Sequence, residues 1–257
     1  MTAAVDRPVA LVTHARLFAG PPAVGALCAA GFQVVVHDEA FASAGAREAY
    51  GRAHAGVVVL AEQEPADIVR AANAWADRLD VLVSNDACPP IHEPVETADP
   101  QGLQDTLERL VVFPFRLAQA AIPHLRGRQK ARVVFITSNR NRLPLGAGSI
   151  PDIARAGANA LVRSLGIELA PLGIPVNAIA PNHLASETYY PRARFVDEPA
   201  GRAYIERTVP AGRLADPAEI GELIRYLATM EGSFLTGTVI DFSGGWPVGI
   251  PPPADPA

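Results

Sequence analysis

The chain has 257 residues, room for one large α/β domain or two small ones, and 49% of them are hydrophobic, enough for a sizeable core. Its net charge of −5 comes without any basic block, which argues against nucleic acid and anionic membrane surfaces as partners. Cys28 and Cys88 form neither a disulfide framework nor a zinc spacing, no secretory segment opens the chain, and no apolar run approaches the roughly 18 residues of a membrane span. The expectation is a soluble cytoplasmic protein without a metal.

Short apolar runs alternate with helical patterns along the chain. Strands are predicted at Val9 to Thr13, Phe32 to Val36, Val57 to Leu60 and Asp80 to Val83, then at Val133 to Ile136, Pro175 to Ile179 and Val239 to Phe242. Helices are predicted at Pro21 to Ala30, Ala44 to His54 and from Pro65 to about Arg78. A longer one runs from about Gln101 to Arg126, bent near Pro114, and another spans Pro217 to Met230. No composition break divides this alternation. It predicts a single domain over residues 1–248, a Rossmann-like doubly wound parallel sheet of about seven strands. The connection from Pro181 to about Gly212 exceeds the usual two to six residues and reads as a lid or binding loop. Residues 249–257 form a Pro-rich tail that is neither helix nor central strand.

The stretch from Arg132 to Leu169 organises the rest. Its apolar run ends in Thr137 and Ser138, a Gly/Pro-rich loop follows, and an amphipathic helix then carries Asp152 and Arg155 in its first turn. Chemistry in parallel sheets sits beyond the carboxyl ends of the strands, so Ser138, Asp152 and Arg155 form a candidate active site.

The first βα turn decides whether a dinucleotide belongs here. Such a site needs glycines, so that the backbone approaches the pyrophosphate and a helix N-terminus faces it. Here the turn runs from Thr13 through Arg16, Leu17 and Phe18, with Gly20 its one glycine, and Pro21 and Pro22 carry no N–H. Asp38 stands where a ribose-binding acid would, but reads more readily as a strand-end or capping residue. No nicotinamide cofactor is expected.

Several segments together resemble the halohydrin dehalogenases, within the short-chain dehydrogenase/reductase superfamily. They are VTHARLFAGP near the start, HDEAF, AEQEP and VSND after the next three strands, VVFITS, ARAGANAL, AIAPNHL and the closing FSGGWP. The resemblance covers nearly the whole chain. It implies a cofactor-independent lyase in which a Ser–Tyr–Arg triad deprotonates a vicinal haloalcohol, and the alkoxide displaces halide to give an epoxide. The reverse reaction opens epoxides with small anions. By position the resemblance assigns Ser138 to the triad serine, Arg155 to the arginine and Asp86 to a supporting acid. Phe18, Pro181, Asn182, His183, Leu184 and Tyr190 fall where the halide pocket is built. It also implies a homotetramer.

One triad member is missing. The tyrosine should stand four residues before Arg155, where this chain has Pro151, and no tyrosine occurs between Gly51 and Thr188. Asp152 is the nearest new acid and the expected substitute. Ser149-Ile150-Pro151-Asp152 also has the spacing of a capping box, which gives Asp152 a purely structural alternative. Tyr189 or Tyr190 on the long connection is a third source of a phenol. Arg155 has an alternative as a plain ion-pair partner of Asp152 or Asp86, and Arg140 and Arg142 add positive charge after the fifth strand. A non-catalytic relative that binds a small molecule or anion is the rival reading. An NAD(P)-dependent reductase fits less well, because Arg155 stands where the reductases' lysine would be.

Overall fold

The computed structural model describes residues 7–247, so the Pro-rich tail lies outside the described residues. Seven parallel strands, β1 (Val9–Val12), β2 (Gln33–Val36), β3 (Val58–Val59), β4 (Val81–Asn85), β5 (Arg132–Ile136), β6 (Val176–Pro181) and β7 (Val239–Phe242), lie in the order 3-2-1-4-5-6-7. The order reverses between β1 and β4, the crevice where open α/β sheets bind ligands. Helices α1 (Gly20–Ala29), α2 (Ala44–Ala53), α3 (Pro65–Ala76), α4 (Pro100–Leu107), α5 (Phe113–Leu125), α6 (Ser149–Leu169), α7 (Pro199–Thr208) and α8 (Pro217–Thr229) complete the domain.

The central strand β1 is apolar and buried at every position because both faces of the sheet are covered. Alternate side chains of β1 enter different cores: Val9 and Leu11 pack with Ile68, Leu117 and Leu165 from α3, α5 and α6. Ala10 and Val12 pack with Leu27, Ile220 and Ile224 from α1 and α8. Period-two alternation thus divides one apolar run between two layers. Gly166 lets α6 lie directly on the chain before β7, since a Cβ there would meet Gly237 Cα at 2.4 Å. Gly166→Ala is therefore expected to cost about 2 kcal/mol of stability through overpacking, readable as a lower urea midpoint.

The long helical region is interrupted near Pro114. One π-helical turn, Glu108–Val112, joins α4 to α5 just before Pro114, whose missing N–H cannot close an α-helical bond. The connection after β6, read from the sequence as a lid or binding loop, contains a π-helical turn at Ala193–Asp197 and then α7. Gly201, a poor helix former in the pattern, is what lets α7 touch that turn, because a Cβ would lie 1.8 Å from Arg194 O.

Candidate active site

Adjacent strands end side by side at the carboxyl edge: Asn85 pairs with Ile136, and Ile136 with Ile179. This register gathers Asp86, Ser138 and Pro181–Asn182 from three distant segments. A cavity of about 960 Å³ opens there. Ser138, Arg155 and Pro151 line it, as do Phe18, Pro181, Asn182, His183, Leu184 and Tyr190. Asp86 and Asp152 do not.

Ser138 Oγ donates to Pro181 O at 3.2 Å and accepts from Arg140 N at 3.2 Å. Rotating off Pro181, the hydroxyl has a proton for a substrate oxygen. Arg155 is 4% exposed, so its orientation is set from all sides. Its guanidinium donates to Asp86 O at 2.9 Å and to the Tyr189 hydroxyl at 3.0 Å, and neither expected carboxylate pairs with it. Asp152 instead accepts from Arg140 Nε at 2.5 Å. The capping box does not form either: Gly148 is the N-cap of α6, Ser149 is already helical, and no side chain caps the helix. One step along a helix turns a side chain by about 100°, which carries Asp152 away from the cavity wall that Pro151 forms.

Asp86 is buried, and both its oxygens accept from Ser84 Oγ at 3.0 Å. Burial raises its carboxyl to about 7, although the Ser84 bond and the Arg155 charge pull the other way. In the cavity wall, His183 sits at φ 58° with Nδ1 buried and unpartnered. Burial lowers its imidazole to about 4, so it is neutral near pH 7. The Tyr190 hydroxyl donates to Asn182 Oδ1 at 2.8 Å, and burial pushes that phenol up, so it stays protonated. Asn139 Nδ2 donates to Ser243 Oγ at 3.0 Å, holding the turn that brings Trp246 to the cavity.

Sequence reasoning missed the bond between Tyr189 and Arg155, and also the contribution of Arg194, Phe195 and Tyr204 to the wall. No spacing signal marks them, because the irregular segment before α7 decides their direction.

The residues present do not fit a dinucleotide. Gly20 N–H is spent on Leu17 O at 2.8 Å, Pro21 and Pro22 have no N–H, and Ala23 N–H bonds Ala19 O at 3.0 Å. The first turn of α1 thus offers no free donor to a pyrophosphate. Asn85 Nδ2 fixes the preceding loop through His14 O (2.9 Å) and Leu17 O (2.8 Å). Asp38 is engaged as well, accepting from Arg16 N and Ala40 N at 3.1 Å each. Among the described residues no cluster of His, Cys, Asp or Glu could hold a metal ion, and no helix is long and apolar enough to cross a membrane.

Comparisons with known proteins agree with this architecture. A family model described as enoyl-(acyl carrier protein) reductase matches residues 20–247. The 3-oxoacyl-[acyl-carrier-protein] reductase FabG of Escherichia coli (strain K12) is 29% identical, over 92% of this chain and 96% of its own. The L-fucose dehydrogenase of Oryctolagus cuniculus is also 29% identical, over 95% and 86% respectively. Among solved structures, halohydrin dehalogenase HheC bound to ethyl (2S)-oxiran-2-ylacetate superposes with a TM-score of 0.92 at 34% identity, covering 96% of this chain and all of that one. A chain described as a dehalogenation enzyme gives 0.89 at 34% identity, covering 93% and 98%.

Proposed function

The chain belongs to the short-chain dehydrogenase/reductase family, and from that premise we propose that it is a cofactor-independent lyase of the halohydrin dehalogenase kind. It interconverts vicinal haloalcohols and epoxides, opens epoxides with small anions, and uses an acid/base group other than the family's tyrosine. The observation that carries this reading is that Ser138 and Arg155 share one cavity with Phe18 and the Pro181–Leu184 wall. Ser138 holds the substrate oxygen. Arg155 supplies a fixed positive charge beside the proton-transfer step. Asp86 holds the loop whose carbonyl Arg155 grips, and Asp152 positions Arg140 at the rim. The aromatic and apolar wall, with a neutral His183, suits a large, weakly hydrated halide. Under this reading the protein is a cytoplasmic homotetramer.

Pro151 in the cavity wall favours a second reading, a relative that binds a small molecule or anion without turnover. The two separate on bromide release from short-chain bromohydrins with no nicotinamide added. The enzyme reading expects release that saturates with substrate. A protein that binds bromohydrin or bromide and releases no halide from any of them is the binder.

A further inference from the structure

We infer that the phenol of Tyr189, carried by the connection after β6 rather than by α6, is the acid/base group of this cavity. The inference rests on the haloalcohol reading above. Three bonds converge on the phenol oxygen. Arg155 Nη2 donates to it at 3.0 Å, Cys88 N–H donates at 3.2 Å, and its own proton goes to Cys88 O at 2.9 Å. The two donors, one of them a permanent cation, can bond the oxygen equally once the proton has left.

The placement of Tyr189 is built. Tyr190 N–H donates to Ser186 O at 2.9 Å and Tyr189 N–H to Ser186 Oγ at 3.3 Å, closing a tight turn. The Phe18 ring meets the Tyr189 ring edge-on at 4.9 Å between centroids. Ser138, Arg155 and Tyr189 therefore face one cavity from the segment after β5, from α6 and from this turn. The other candidates are spent elsewhere: Asp152 on Arg140, outside the cavity wall, and Tyr190 on Asn182.

In ring closure the Tyr189 phenolate takes the hydroxyl proton of a haloalcohol held on Ser138. The oxygen's freed electron pair forms the new C–O bond to the neighbouring carbon, and the C–halogen pair leaves with the halide. The phenol then returns its proton to water, so each cycle yields one epoxide, one halide and one proton. In ring opening the anion attacks carbon, and the phenol protonates the departing oxygen.

The test is kcat and KM for bromide release by the wild type, Tyr189→Phe, Asp152→Asn, Tyr226→Phe and the double variant Tyr189→Phe/Pro151→Tyr. Loss of a general base lowers kcat by about 100-fold or more, so Tyr189→Phe should do this with KM held within a few-fold. The exposed Tyr226→Phe should match the wild type. Recovery of about 10-fold or more in the double variant would show that a phenol was lost, rather than the fold. Tyr189→Phe with kcat within about threefold of an active wild type overturns the inference alone, as does a loss confined to Asp152→Asn. A wild type that releases no halide from any bromohydrin overturns the haloalcohol reading, and this inference with it.

Discussion

Arg155→Met is expected to lower kcat/KM for halide release by about 1,000-fold, the upper range for removing one preorganised donor at a developing charge. The buried guanidinium serves two partners at once, the Asp86 carbonyl at 2.9 Å and the Tyr189 hydroxyl at 3.0 Å. Methionine fills the space of the stem but leaves both oxygens without their charged donor. Arg155→Lys keeps the charge as a point and cannot span both oxygens as a fork does, so an intermediate loss of about 10-fold to 100-fold is expected. Steady-state rates on one bromohydrin, with a thermal melt of each variant, measure this. A folded Arg155→Met protein within tenfold of the wild type would remove Arg155 from the chemistry.

The second large effect concerns Asp86 and pH. Burial raises its carboxyl from 3.8 to about 7 in the folded protein. The folded state then binds the proton more tightly than the unfolded chain, so this group's stabilisation is fully present below the unfolded value. It is lost as pH rises towards 7. At about 1.4 kcal/mol for each pH unit, the loss between pH 5 and pH 8 is on the order of 3 kcal/mol. Buried imidazoles work in the opposite sense: His37 and His183, each lowered to about 4 by burial, cost stability as pH falls below 6.5. The readout is therefore the difference between wild type and Asp86→Asn in urea unfolding at each pH. The wild type should lose ground to the variant from pH 5 to pH 8. A difference that stays flat would mean Asp86 is ionised throughout.

Much of this was legible in the residues. The seven apolar runs, the Gly/Pro punctuation between them and the even strand–helix alternation determined a doubly wound parallel sheet, because hydrophobic period and turn chemistry are local properties. Pro21 and Pro22 likewise announced a first helix poor in donors, and the structure adds that Gly20 and Ala23 spend theirs as well. Ser138 at a strand end and Arg155 in the next helix could be paired from position, since a βα unit fixes their relation.

What only the tertiary structure decided is direction. Asp152 and Arg155, three residues apart on one helix, were expected to be neighbours, yet Asp152 turns to Arg140 and Arg155 to Asp86 and Tyr189. Tyr189 lies 34 residues beyond Arg155 in sequence, and no periodicity links them. Their meeting depends on how β6 ends, how the turn at Ser186 closes and how α7 docks on the turn before it. Local pattern determined which elements form. Which side chains share the cavity was decided by long-range packing and by the competition of each polar group for partners, and neither is written in any one segment.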